Sequence, residues 1–210
     1  FCLSRGLGDV YKRQSTGWAK DQRVYFVAEF SKPFAKFETV GDKYARASFA
    51  TTDGEQVLVK VALSPVSVEG AEANLAAELP GWDFEATVQA ADAKWNAELS
   101  KVKITTEDET AKRIFYTGLY HTMVAPSVFC DVNGDYRGSD YEIHRAPGFT
   151  NYTTFSLWDT FRAWHPLQTL IDTTLVNDMI FSMLDMYDAT GELPIWPLAS
   201  GETGTMIGYH

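Results

Sequence analysis

A β-sheet that gives way to helices is the layout predicted by this 210-residue sequence, a multidomain α and β chain. Three observations predict it. Residues 23–63 hold short runs rich in Val, Tyr and Phe. From Val68 onward the apolar spacing changes from two to the helical three and four. Asp-Gly and Pro-Gly punctuate the change, at 53–54 and 80–81.

Arg23–Phe30, Tyr44–Ala50 and the alternating Val57, Val59, Val61 and Leu63 read as three strands. Thr52-Asp53-Gly54-Glu55 predicts an antiparallel hairpin between the second and third. Three strands cannot complete a sandwich, so the sheet reads as the tail of one. Ala71–Leu79 is Ala/Glu/Leu-rich and stops at Pro80-Gly81. Phe84, Val88, Ala91, Trp95 and Leu99 then mark one face of a longer helix. Thr106 with Glu109 forms a capping-box pattern for a helix that buries Ile114, Phe115, Leu119 and Met123. Helices are predicted over Phe155–Leu170 and over Leu175–Tyr187, the latter closing near Gly191.

Residues 1–14, FCLSRGLGDVYKRQ, show no strand or helix pattern and resemble translated sequencing-adapter peptides. The expected division is therefore 1–14 as a non-native segment and 15–67 as the C-terminal part of a sheet domain. Linker helices follow over 68–103, and 104–210 is the N-terminal part of a truncated helical domain.

The formal charge is −10, and no basic stripe suits a nucleic acid. No apolar run approaches the roughly 20 residues of a membrane span. Cys2 and Cys130 are too few for a disulfide framework and lack zinc-ligand spacing. The four histidines are too far apart for a local metal motif.

Two stretches could carry chemistry. Phe155–Pro166, FSLWDTFRAWHP, gathers Trp158, Phe161 and Trp164 around Asp159 and Arg162. An aromatic face stacks on the apolar face of a sugar ring, a carboxylate accepts hydroxyl hydrogen bonds, and an Arg can hold that carboxylate. The same spacing suits an amphipathic helix with aromatic core residues. Near the end, Gly201-Glu202-Thr203-Gly204 places a carboxylate in a turn ahead of His210, where it could bind a hydroxyl or a metal. The alternative is a helix N-terminal turn. In the long polar loop Cys130–Phe149, Asp131, Asn133, Asp135, Ser139 and Glu142 fall on EF-hand positions. Tyr136 occupies the position that needs Gly, so a set of Asx-turns is the expectation. No phosphate loop, G-x-S-x-G elbow or CxxC is present.

Taken together, these stretches resemble glycoside hydrolase family 92, calcium-dependent exo-α-mannosidases. The resemblance rests on NLAAELPGWDFEATVQAADAKWNAEL, YHTMVAPSVFCDVNGDYRG, FSLWDTFRAWHPL, VNDMIFSMLDMY and GELPIWPLASGETGTMIGYH, and covers about residues 20–210. It implies the tail of an N-terminal β-sandwich, linker helices and the first part of an (α/α)6 barrel. It implies removal of terminal α-linked mannose, α-1,2 in the first instance, from N-glycans or mannan by an inverting, calcium-assisted mechanism. Trp158 and Asp159 match the family's Trp-Asp pair in the mannose pocket, with Arg162 beside them. Glu202 and His210 match its Glu and His. Gly201 stands where the family usually has Asn, and Thr205 where Cys is common. The catalytic acid and base are expected beyond His210, the calcium ligands mainly outside the segment, and the segment alone inactive. A periplasmic or secreted location and a mannose-containing oligosaccharide or glycoprotein glycan as partner follow from the same resemblance. Another (α/α)6 hydrolase acting on glucosides, or a non-catalytic carbohydrate-binding protein, are the competing readings.

Overall fold

A computed structural model describes the backbone of residues 7–13 and all of residues 21–40, 44–199 and 201–207. Strands β1 (Leu7–Arg13), β2 (Gln22–Phe30) and β5 (Val59–Ser64) form an antiparallel sheet in the order β1-β2-β5. Strands β3 (Lys36–Val40) and β4 (Tyr44–Ser48) form a separate hairpin. Helices α1 (Val68–Glu78), α2 (Phe84–Leu99) and α3 (Glu109–His121) follow.

The strand pair β6 (Ser127–Val128) and β9 (Tyr152–Thr153) brackets the hairpin β7 (Asp135–Arg137) and β8 (Ile143–Arg145). Helices α4 (Leu157–Thr160), α5 (Trp164–Ile171) and α6 (Thr173–Thr190) lead to the short pair β10 (Pro197–Leu198) and β11 (Gly201–Glu202). The architecture is mixed α and β. The described strands close no sandwich, and the described helices close no barrel.

Several sequence expectations need correction. Leu7–Arg13 is a strand, paired residue by residue with Gln22–Ala28. Its pairing partner is the open backbone edge of β2, which accepts a neighbour whatever its side-chain pattern. The Asp-Gly turn forms, with Gly54 at φ 75°, but it does not join a hairpin. Instead β4 pairs backward with β3, and β5 pairs with β2. A Phe30, Phe34 and Phe49 cluster, with ring centroids 5.1–5.5 Å apart, draws the chain after β4 back over the β2 corner. There the Lys32–Glu55 ion pair at 2.5 Å holds the turn.

The core lies between the sheet and α1, where Val27, Ala71 and Leu75 pack with Ala62, Val68 and Leu79. The covered face of β5 is therefore Lys60, Ala62 and Ser64, whereas Val59, Val61 and Leu63 face outward. Lys60 fits a covered face because its Nζ donates to the Leu79 carbonyl (2.9 Å) at the end of α1 and lies over the Trp82 ring.

Helix α2 has the predicted span and an Asp83 cap, yet none of its residues is buried. On its stripe the Trp95 ring lies 4.7 Å from that of Tyr120 on α3. The cap of α3 is Asp108, not Thr106. The Asp108 side chain accepts from the backbone N–H groups of Thr110 and Ala111, while Thr106 Oγ1 accepts from Asp108. Of the four residues expected in its core, Leu119 is buried, Phe115 and Met123 are half-buried, and Ile114 is exposed.

The helix expected over Phe155–Leu170 is two helices, broken at residues 161–163. Pro166 has no N–H for the carbonyl four residues back, so a continuous helix would be interrupted there. A fresh start at Trp164 puts Pro166 in a first turn, where it is tolerated. Helix α6 ends as expected, on Gly191 at φ 79°.

The loop 130–149 ties these parts together. It forms no EF-hand: Asn133 and Asp135 make an Asx-turn, and Arg145 binds Asp135 at 2.6 Å. Asp131 is buried; it accepts from Ser64 Oγ at 2.7 Å and from Asn74 Nδ2 at 2.8 Å. Asn74 also donates to the Leu63 carbonyl and accepts from Val132. The buried Tyr136 hydroxyl donates to Asp185 on α6, and Arg137 donates to the Pro65 carbonyl.

Two predictions follow from this knot. A Cβ on Gly70 would lie 2.2 Å from Asp131 Oδ2. Helix propensity alone would favour Ala over Gly by about 1 kcal/mol. Gly70→Ala is instead expected to lower the melting temperature, and a rise in a thermal melt would contradict the close contact.

The second concerns alkaline pH. Burial, reinforced by the Asp185 hydrogen bond, holds the Tyr136 hydroxyl far above its ordinary value. The unfolded chain ionises this tyrosine near pH 10 while the folded one keeps it neutral, so its contribution is complete below pH 10 and fades above. The stability gap between wild type and Tyr136→Phe, read from denaturant melts, should narrow as pH rises past 10. A gap that widens would refute it.

Candidate functional site

Trp158, Asp159 and Glu202 lie where the start of α4 meets the segments 191–199 and 201–207. The turn in these segments is built around Glu202. One carboxyl oxygen accepts from Ile195 N at 2.8 Å, the other from Gly204 N at 2.9 Å, and both reach Trp196 N at 3.2–3.3 Å. Glycines allow this tight path: Gly201 and Gly204 sit at φ 99° and 63°. Thr203 Oγ1 donates to the Trp196 carbonyl, and Phe155 N donates to the Pro197 carbonyl, which docks the turn against the start of α4.

From this anchored position Trp196 Nε1 donates to Ser156 Oγ at 3.0 Å. Ser156 Oγ donates in turn to Asp159 Oδ2 at 2.6 Å. Asp159 is exposed, on the first helical turn after Ser156. Beside it, Trp158 is half-buried; its Nε1 is shielded from solvent and has no hydrogen-bond partner among the described residues. A buried donor of that kind calls for an acceptor.

The other expected members lie apart from this group. Arg162 is exposed, with its guanidinium 5.5 Å from the Phe161 ring, and Asp159 takes its hydrogen bond from Ser156 rather than from Arg162. The break at 161–163 turns Trp164 away. Its Nε1 donates to the Thr122 carbonyl at 2.6 Å, and its ring lines a different cleft, of about 690 Å3, between α2, α5 and α6. Gln168, whose Nε2 is buried and unpartnered among the described residues, lines the same cleft. His210 lies outside the described residues. His121 is exposed, and His165 has a pKa lowered by burial and meets Thr160 Oγ1 at 2.9 Å. Among the described residues no three His, Cys, Asp or Glu side chains are placed to hold a metal.

Sequence reading missed Ser156 and the role of Trp196. A signal for Ser156 was present: Ser156-Leu157-Trp158-Asp159 has capping-box spacing. In the fold Ser156 occupies the N-cap position but makes no cap hydrogen bond to the helix backbone. Its hydroxyl serves Asp159 instead.

Comparison with known proteins shows the family. The sequence model described as the glycosyl hydrolase family 92 catalytic domain matches residues 70–210. Among solved structures, the chain is similar to the GH92 α-mannosidase BT3965 from Bacteroides thetaiotaomicron. They share 38% identity and a TM-score of 0.91, over 100% of this chain and 31% of that one. It is also similar to the GH92 inverting mannosidase BT2199 from Bacteroides thetaiotaomicron VPI-5482, at 28% identity and a TM-score of 0.85, over 98% of this chain and 30% of that one. A third similar structure is the GH92 glycosyl hydrolase ccman5, at 26% identity and a TM-score of 0.77, over 97% of this chain and 31% of that one. A search of curated proteins finds no match. The chain spans about a third of the length of these solved relatives, and it belongs to glycosyl hydrolase family 92.

Proposed function

We propose that this segment supplies one wall of the terminal-sugar pocket of an inverting exo-α-mannosidase. The observation that carries the reading is the pair Trp158 and Asp159. A half-buried indole and an exposed carboxyl, one oxygen of which Ser156 already holds, are consecutive in the chain at the start of α4. A sugar offers such a pair an apolar ring face and a hydroxyl donor. The relatives support it: one is an α-mannosidase that has also been solved in complex with mannoimidazole, and another is an inverting mannosidase.

The proposed substrate side comprises Trp158, Asp159, Arg162, Glu202 and His210. Glu202 acts through the turn it holds, since its oxygens already receive three backbone N–H groups. The substrate is a mannose-capped oligosaccharide or glycoprotein glycan, with an α-1,2 linkage as the first to test. Inversion needs an acid and a base about 6.5–9.5 Å apart across the scissile bond. Neither is assigned to residues of this segment.

Family resemblance brings in a calcium ion that would template the sugar through its hydroxyls. Among the described residues no three His, Cys, Asp or Glu side chains are grouped to hold it; the part proposed for Trp158 and Asp159 is to bind and orient the ring. On the same resemblance the sheet is the tail of a β-sandwich and the helices open an (α/α)6 barrel. No helix among the described residues is long and apolar enough to cross a membrane, and a periplasmic or secreted location is proposed with the substrate class.

The test uses a protein of the relatives' length that carries this segment, assayed on aryl α-mannosides and α-glucosides with and without chelator. Mannoside cleavage with inverted product is expected, read by NMR of the first-formed anomer. Cleavage of glucosides alone, unaffected by chelator, would overturn the proposal. Asp159→Ala should lower kcat/KM about 10- to 100-fold, the range for a lost hydrogen bond to a charged group.

A further inference from the structure

We propose that Ser156 and Trp196 are positioning residues that aim the Asp159 carboxyl at a substrate hydroxyl, with Glu202 holding Trp196 in place. This rests on the reading of Asp159 as a substrate-side group.

The direction of the chain of hydrogen bonds is fixed by chemistry. An indole N–H can only donate, so Ser156 Oγ must accept from Trp196 Nε1. A serine hydroxyl has one proton, and it is left for Asp159 Oδ2, 2.6 Å away. The backbone repeats the tie, because Asp159 N donates to the Ser156 carbonyl at 3.0 Å. One carboxyl oxygen, Oδ2, is thereby committed to Ser156, and the carboxyl's remaining acceptor sites are turned to an exposed side chain's surroundings. The acceptor face of an exposed side chain is set without a cation.

Structural needs do not account for this use of Ser156. At an N-cap position a serine hydroxyl ordinarily accepts from the N2 or N3 backbone N–H. Here that bond is absent, and α4 is a single turn of four residues. The hydroxyl is spent on Asp159 instead. The donor behind it comes from forty residues along the chain, and its backbone is fastened on both sides. Trp196 N–H goes to Glu202, and the Trp196 carbonyl accepts from Thr203 Oγ1 at 2.9 Å. Two segments distant in sequence thus converge on the aim of one carboxyl.

The experiment is a mutant cycle in a protein of the relatives' length carrying this segment, with kcat and KM measured on an aryl α-mannoside. Ser156→Ala is expected to lower kcat/KM about tenfold, Ser156→Thr to retain it within about threefold, and Trp196→Phe to lower it about three- to tenfold. In an Asp159→Asn background, Ser156→Ala and Trp196→Phe should have no further effect, since they act only through the group already altered.

If Asp159→Asn leaves kcat/KM unchanged, the reading of Asp159 fails. If Asp159→Asn is costly but the Ser156 and Trp196 changes are silent, or add fully to it, the positioning proposal fails and the site reading stands. Should Ser156→Ala not fold, Trp196→Phe in the same cycle decides.

Discussion

The buried side chain of Asp131 ties the loop it begins to the sheet and to α1. It lies among Ser64 at the end of β5, Asn74 on α1 and the loop it begins. Each of these groups is buried, and each has its hydrogen bonds met. A buried polar cluster that is fully satisfied fixes geometry more sharply than apolar packing, because misalignment strands a donor at a cost of about 1–3 kcal/mol. Gly70 shows how tight the fit is: its missing side chain is where the Asp131 carboxyl sits. From this point the hairpin extends to α6 through Tyr136 and Asp185, and to the α1 entry through Arg137. The sheet and the helices are thus joined by a polar knot, while the apolar core of the sheet stays local to α1.

The candidate site follows the same economy. Glu202 spends its carboxyl on backbone N–H groups, Trp196 spends its indole N–H on Ser156, and Ser156 spends its proton on Asp159. The arrangement needs a serine at a helix start that does not cap the helix. It also needs glycines with positive φ to close the turn around Glu202. The site therefore depends on backbone turns at two places, and on the docking of one turn against the other.

The described surface is rich in uncovered apolar faces. Val59, Val61 and Leu63 line the open side of the sheet, Phe84 and Val88 lie along α2, and Ile180, Phe181 and Leu184 lie along α6. Exposed apolar side chains that share one face of an element suit a contact surface. They accord with a segment that spans about a third of its solved relatives' length.

Local rules determined a good deal from the sequence alone. The stop of α1 before Pro80-Gly81, the span of α2, the Gly191 stop of α6, the Asp-Gly turn and the failure of the EF-hand pattern all rest on spacing and on single residues with fixed conformational demands, whereas α1 starts at Val68, three residues ahead of the Ala71 that the sequence suggests. The family was legible too, because Trp-Asp and the Glu202 turn stand in a long shared context. Tertiary structure decided which strand pairs with which, which face of β5 is covered and which aromatics stay near Asp159. Strand partners depend on where the Phe30, Phe34 and Phe49 cluster folds the chain, and no local period records that. Trp164 left the site because Pro166 favours a new helix start over a continuous turn. Ser156 joined it because Trp196, forty residues away, reaches its hydroxyl. Hydrogen bonds between distant segments leave no periodic trace in a sequence, so only the folded chain could assign them.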